Sequence, residues 1–301
     1  PAAAINTTVE LAKTHHLKNL APVVNGILRS ALRYKERGIS LPKSKNPSLE
    51  LAKNASIPLW LADELIVWKG VEDAHKIAQA FNFVRPIDIR VNKLCAQIKY
   101  VKEKFDSHGI TNKFIPGCPY GLEVTSGFGE LKKWPGYEEG RWSVQDRSSQ
   151  LIAPLLDPLP GEKILDACAA PGGKSTHIAE LINNDGSILS VDRSAQRSKR
   201  ISANAKRLGT SCLQLMVADS NKLLVKKPEW KGFFDRILID APCSGLGTLA
   251  RHPDARWRIN NDNIQELVGL QNQLLISLTP LLKSGGKLVY STCTIHPDEN
   301  F

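Results

Sequence analysis

The stretch Ile164-Leu165-Asp166-Ala167-Cys168-Ala169-Ala170-Pro171-Gly172-Gly173-Lys174-Ser175 opens apolar, turns through small residues and glycines, and runs into a helical pattern ending near Leu181. A strand that breaks at a Gly-rich turn into a helix places free helical N–H groups at the carboxyl end of the strand. The surrounding sequence repeats the unit. Apolar runs at 163–167, 187–191, 213–217, 236–240 and 287–290 alternate with helical stretches. This βαβ pattern predicts an α/β domain with a mainly parallel sheet over 143–301. Ligands of such sheets sit in the crevice outside the strands' carboxyl ends, so the residues that end these runs are the candidates for function.

Several ligands compete for the turn. Gly173-Lys174-Ser175, taken with Ile237-Leu238-Ile239-Asp240, resembles a phosphate-binding loop and its acidic partner strand. That pattern needs a glycine where Cys168 stands, and Pro171 removes an N–H from a loop whose N–H groups must cradle phosphates. The G-x-G-x-x-G dinucleotide fingerprint is absent as well. S-adenosylmethionine asks less of the loop, because its small carboxylate needs few donors, but its ribose and adenine need acceptors farther along the sheet. Asp192 ends the second run and suits both ribose hydroxyls, Asp219 follows the third and suits the adenine amino group, and Asp240 ends the fourth near the reactive methyl. A single acid there would be read as a helix cap. Asp166, Asp192, Asp219 and Asp240 at four successive strand ends favour a cofactor site instead. Its expected members are Cys168, Ala169, Ala170, Pro171, Gly172, Gly173, Lys174, Asp192, Asp219 and Asp240, with Arg197 added from the next helix. The face that Arg197 shares with Arg193, Arg200 and Arg207 otherwise reads as solvated charge.

Two thiols stand at strand ends beside this site, in Asp240-Ala241-Pro242-Cys243-Ser244-Gly245 and in Ser291-Thr292-Cys293-Thr294. A free cysteine is usually buried and inert, the reading that fits Cys95, Cys118, Cys168 and Cys212. Cys243 and Cys293 lie where catalytic groups are carried. Carbon 5 of cytosine is a poor nucleophile until something adds at carbon 6, and a thiolate adds well and leaves again. A base must then take the carbon-5 proton, and Cys243 is placed to assist that release. An acid holding a proton at ring nitrogen 3 would favour addition, which suits Asp240 with a raised pKa.

The remaining sequence sets the context. Net charge is +10, which suits a polyanionic partner, and residues 1–47 carry eight Lys/Arg against two Glu. An amphipathic helix is expected over 19–35, then linker composition through Pro47, then short mixed elements over 48–142. No apolar run approaches the roughly 20 residues of a membrane span, and six cysteines without C-x-x-C spacing suggest free thiols in a reducing cytoplasm and no bound metal. Arg251, Arg256 and Trp257 follow the Pro-Cys loop, where a splayed base and its phosphates need contacts. His252 and His296 read as structural or RNA-contacting groups.

Arg90-Val91-Asn92, the run from Val144 to Gln150, the Asp166–Ser175 loop, Asp240 to Gly245 with Arg251-His252-Pro253-Asp254, and Ser291 to Asn300 together resemble the RNA cytosine-carbon-5 methyltransferases. The likeness is greatest to the bacterial Sun/Fmu type that modifies 16S ribosomal RNA. It implies a Rossmann-like S-adenosylmethionine-dependent methyltransferase domain, with Cys293 as nucleophile and Cys243 assisting product release. Residues 21–29 are similar to the final helix of a NusB-like domain. The expected organisation is therefore a NusB-like remnant at 1–47, a mixed α/β subdomain at 48–142 and the methyltransferase domain at 143–301. The family continues with a helix and a last strand, so a truncated C-terminus is expected, as is a monomer. A transfer RNA methyltransferase, a non-catalytic ribosome assembly factor and an NTPase are the alternatives.

Overall fold

In the computed structural model, which describes residues 2–38, 42–127 and 129–300, the chain divides into the units Pro1–Ala78 and Gln79–Phe301. The boundaries expected after residues 47 and 142 both fall inside units. Linker composition reports local polarity, whereas a unit is defined by where contacts thin out.

The first unit is helical, with α1 (Ala2–Thr14), α2 (Ala21–Glu36), α3 (Pro47–Ala55) and most of α4 (Leu59–Ala80). The helix expected over 19–35 is α2, which carries Pro22 in its first turn, where an N–H has no helical acceptor to lose. Val23 and Ile27 on its apolar side are exposed. Asn46 caps α3 by accepting from the Leu49 N–H at 3.0 Å. The helical patterns at 59–68 and 72–81 form one element broken at Gly70, whose φ of 75° and ψ of 167° are not helical.

The second unit holds two sheets. The smaller contains β1 (Ile87–Val91), β2 (Thr111–Phe114), β3 (Gly121–Ser126) and β4 (Trp142–Val144), paired antiparallel in the order β2-β3-β1-β4, with α5 (Ile98–Ser107) inserted after β1. Phe105 meets Trp134 and Trp142 edge-on at 5.8 and 5.6 Å, closing a core with Ile89, Val91, Leu122 and Val124. Two short helices, α6 (Arg147–Gln150) and α7 (Ile152–Leu156), lead into the larger sheet. It comprises β5 (Lys163–Asp166), α8 (Gly173–Leu181), β6 (Ser187–Asp192), α9 (Ala195–Leu208), β7 (Leu213–Val217), α10 (Leu223–Lys226), β8 (Phe234–Asp240), α11 (Asn261–Leu278) and β9 (Leu282–Ser291). All five strands are parallel, in the order β7-β6-β5-β8-β9, as the βαβ pattern predicts. This is the Rossmann-like arrangement.

Alternation along the strands builds two cores. Leu165, Val191, Ile237 and Ile239 face Leu274 and Leu278 of α11, while Ile164, Ile188 and Leu238 face Ile178 and Ile182 and the residues Ala153 and Leu156 of α7. The chain runs outward from β5 in one direction through β6 and β7, then returns to continue through β8 and β9. That reversal opens the crevice between β5 and β8 in which ligands of open sheets bind. Gly172 turns the chain into α8 with φ of 99°, and a Cβ there would lie 3.1 Å from the Ile201 Cα. Gly172→Ala is therefore expected to cost roughly 1–3 kcal/mol of stability. Urea denaturation followed by circular dichroism checks it, and an unchanged midpoint would show that the loop accommodates the side chain.

Candidate functional site

A cavity of about 370 Å³ occupies the crevice, lined among others by Asp192, Asp219, Asn221, Asp240, Cys243 and Cys293. Asp192 and Asp240 end their strands, and Asp219 lies just past the end of β7. Asp192, at the end of β6, is buried and accepts from the Ala170 N–H at 3.2 Å and the Ser194 N–H at 2.9 Å, so it draws the Gly-rich loop onto its own strand. Arg197 lies 3.8 Å from that carboxylate and donates to the Ala170 carbonyl at 2.9 Å. Asp219 is exposed and accepts from the Asn221 N–H at 3.1 Å. The Asn221 side-chain oxygen is buried with no hydrogen-bond partner. Beneath the loop, Asp166 is wholly buried, and burial pushes its carboxyl up to about 6. One of its oxygens accepts from the Ser175 hydroxyl at 2.6 Å, and the other has no hydrogen-bond partner.

Asp240 ends β8 directly beside Ser291, the last residue of β9. It accepts from Lys174 Nζ at 2.5 Å and from the Ser291 hydroxyl at 2.9 Å. Beyond these strand ends the chain brings Cys243 Sγ to 3.2 Å from Cys293 Sγ. The two thiols respond in opposite directions. Hydrogen bonding to Cys243 holds the Cys293 thiol below its ordinary range, with Lys174 acting in the same sense. The same bond, together with burial, holds Cys243 well above it. Of the two, Cys293 is the thiol whose surroundings favour ionisation, and Cys243 the one whose surroundings keep it protonated. Cys168, by contrast, is pushed up to about 12 by burial and by the surrounding acids, leaving it a neutral, inert thiol.

A buried polar cluster holds the two thiol loops together. Glu299 is 2% exposed and accepts from the Ser244 N–H at 2.8 Å, the Ser244 hydroxyl at 2.5 Å and Gln271 Nε2 at 3.0 Å. The Ser244 and Thr294 hydroxyls, each next to a cysteine, lie 2.7 Å apart. Gly247 donates to the Cys293 carbonyl at 3.0 Å, and a Cβ on it would stand only 2.8 Å from that oxygen, so a larger residue would push the loops apart.

The structure thus brings Cys168 and Ala170 of the expected loop, Arg197, Asp192, Asp219, Asp240, Cys243 and Cys293 to one crevice, and Lys174 reaches it through Asp240, whereas Ala169, Pro171, Gly172 and Gly173 do not line it. It rearranges the basic groups. Arg256, expected to meet RNA, is 3% exposed and donates to the Asn82 side chain and the Phe81 and Leu249 carbonyls, so its guanidinium is turned inward. Arg251 is exposed but is engaged by Asp146 at 2.9 Å and the Pro86 carbonyl at 3.1 Å. Trp257 is 62% exposed. On the arginine-rich helix, Arg207 donates to the Tyr137 and Trp142 carbonyls and lies over the Tyr137 ring, so it is not part of a solvated face. His296 is buried, and its ring accepts from the Asp298 N–H. The sequence reading missed Asn221, Ser291, Gln271 and Glu299. Only the nearness of Glu299 and Ser291 to Cys293 in the chain could have drawn attention to them.

Residues 153–301 match the family model described as 16S rRNA methyltransferase RsmB/F. The chain is 40% identical over 299 residues to a protein of Synechocystis named probable ribosomal RNA small subunit methyltransferase B, covering 99% of this chain and 66% of that one. It is 36% identical to ribosomal RNA small subunit methyltransferase B of Yersinia enterocolitica, covering 100% of this chain and 67% of that protein. The chain therefore spans about two thirds of the length of these curated relatives. Among solved structures, NSun6 from Pyrococcus horikoshii with SFG superposes with a TM-score of 0.73 at 25% identity, over 81% of this chain and 85% of that one.

The thiol pair sets an order of reactivity. Iodoacetamide is expected to alkylate Cys293 before Cys243 near neutral pH, because only the thiolate reacts. Cys243→Ala removes the donor that stabilises the Cys293 thiolate, so the pH midpoint of Cys293 alkylation moves up and the rate near neutral pH falls. Peptide mass mapping across a pH series reads both effects. Faster labelling of Cys243 would reverse the assignment.

Proposed function

The chain belongs to the 16S rRNA methyltransferase RsmB/F family, and on that premise we propose that it methylates carbon 5 of a cytosine in 16S ribosomal RNA through a covalent adduct with Cys293, using S-adenosylmethionine. The observation that carries this reading is the pair of unequal thiols, 3.2 Å apart, opening onto a crevice lined by strand-end acids. The residues present fit the donor. Asp192 suits the ribose hydroxyls and Asp219 the adenine amino group, both lining the cavity, and the first turn of α8 offers N–H groups to a carboxylate. The NSun6 relative, solved with SFG, an analogue of that donor, supports the same choice. When bound, S-adenosylmethionine supplies an electrophilic methyl group.

The chain's own residues then act in sequence. The Cys293 thiolate forms a bond to carbon 6 of the cytosine, and the ring electrons displaced by that addition make carbon 5 nucleophilic. A proton held at ring nitrogen 3 offsets the charge that develops there. Asp240 is bonded to Lys174, so the base meets the Lys174–Asp240 pair rather than an isolated acid. After carbon 5 is methylated, its proton leaves to a base, the ring double bond re-forms, and the carbon 6–sulfur bond breaks to return the Cys293 thiolate. Cys243, whose sulfur lies 3.2 Å from the leaving sulfur, assists this release. Trp257 is an exposed aromatic on the loop that follows Cys243 and offers a stacking face to a nucleotide.

The test incubates the protein with labelled S-adenosylmethionine and ribosomal RNA containing 5-fluorocytosine, whose carbon-5 fluorine cannot leave as a proton does. A stable protein–RNA adduct is expected with wild type and none with Cys293→Ala. With natural RNA, Cys243→Ala is expected to accumulate adduct and to turn over more slowly. An adduct that survives Cys293→Ala but is lost in Cys243→Ala would exchange the two roles. Absence of both adduct and methyl transfer with wild type would favour a non-catalytic RNA-binding protein.

A further inference from the structure

Arg90-Val91-Asn92 takes no part in the chemistry above, yet Arg90 is 1% exposed and lies on β1 of the antiparallel sheet. A guanidinium has five N–H donors, and the hydrogen bonds of this one number five. Nε donates to Glu180 Oε2 at 3.0 Å and Nη2 to Glu180 Oε1 at 2.7 Å, so the carboxylate is gripped at both oxygens. Nη2 also donates to the Thr176 hydroxyl at 3.2 Å. Nη1 donates to Gln145 Oε1 and to the Gly173 carbonyl, the latter at 2.9 Å. Glu180, Thr176 and Gly173 all belong to α8, the helix whose first turn is the Gly-rich loop.

Stability alone is a weak reason for this arrangement, because apolar residues of similar volume commonly replace a buried ion pair at no cost. Its geometry points elsewhere. The Gly173 carbonyl and the Lys174 N–H belong to one rigid peptide plane, so a bond that fixes the carbonyl also fixes the direction of that N–H at the start of α8. Lys174 in turn reaches Asp240 at 2.5 Å. Gln145, oriented by Arg90, adds a longer contact of 3.4 Å to the same carbonyl. The antiparallel sheet is thereby fastened to the first peptide of α8, where the Gly-rich loop ends, and through Lys174 to Asp240 of the crevice.

We propose that Arg90 is a positioning residue that sets the affinity for S-adenosylmethionine from outside the crevice, by fixing the Gly173–Lys174 peptide. The proposal rests on the cofactor reading given above. Its test is equilibrium binding of S-adenosylhomocysteine, measured by calorimetry without any chemical step, on wild type, Arg90→Lys and Arg90→Met/Glu180→Met. The double variant replaces the ion pair by apolar side chains and leaves no buried charge behind. It is expected to keep a cooperative urea transition while the Kd rises about tenfold or more, the scale seen when partners behind a binding group are removed. Arg90→Lys keeps the charge balance but has three donors and no planar fork, so an intermediate loss is expected. In methyl-transfer assays the loss falls on the cofactor KM more than on kcat. Should the double variant fail to fold, Arg90→Lys carries the test by itself. Folded variants that bind as tightly as wild type would overturn the proposal, whereas wild type that does not bind S-adenosylhomocysteine would overturn the cofactor reading instead.

Discussion

The parallel register of β8 against β9 sets Asp240 beside Ser291, and both chains leave the sheet at the same level. Cys243 and Cys293 follow within three residues of that point, so a sheet hydrogen-bond pattern determines where two thiols fifty positions apart will meet. β8 is held on both sides, by β5 and by β9, so its end is fixed by backbone pairing, and β9 takes its register from β8. The loops beyond are held by other means. Buried Glu299 gathers donors from Ser244 and Gln271, and Gly247 lets the first loop lie against the Cys293 carbonyl. A fully satisfied polar cluster of this kind rigidifies a site, and a partly satisfied one would leave it loose.

Environment then distinguishes chemically identical side chains. Cys168, Cys243 and Cys293 all border one cavity. Cys168 is buried among carboxylates and is pushed up, while Cys293 has a thiol donor and a nearby ammonium and is pushed down. Desolvation opposes the thiolate at all three positions, so the sign depends on which position has a donor aimed at it. The acids show the same principle. Asp192 spends its oxygens on two backbone N–H groups and draws the loop inward, whereas Asp166, sealed beneath the loop, keeps one oxygen without a partner and has its carboxyl raised by burial.

The two sheets of the second unit divide the work of support. The parallel sheet carries the residues that line the crevice, and the antiparallel sheet reaches them from behind. Arg147 repeats the theme, joining Asp88 of β1 and Glu123 of β3 at 2.7 and 2.5 Å just where the chain passes from one sheet to the other. Asn92 donates to the Gly140 and Leu208 carbonyls, tying the end of β1 to the end of α9. Aromatic packing of Phe105, Trp134 and Trp142 makes the smaller sheet a rigid platform for these contacts.

Much of this was legible in the residue order. The five parallel strands, the Gly-rich turn before α8, the acids at strand ends and the two candidate thiols all follow from patterns spanning a few residues, because apolar periodicity and glycine placement act locally. Expected strand ends shifted by a few residues, most at β9, which begins at Leu282 and runs through Gly285 and Gly286. Only the tertiary structure decided which groups are paired. Arg256 turns inward to Phe81 and Asn82, 175 and 174 positions away. Arg90 finds Glu180 ninety positions away. Which cysteine is the more easily ionised depends on a hydrogen bond between loops that no local pattern encodes. A charge written in a sequence has no fixed meaning until folding sets its distance to its partners and the water left around it, and both are properties of the assembled sheets.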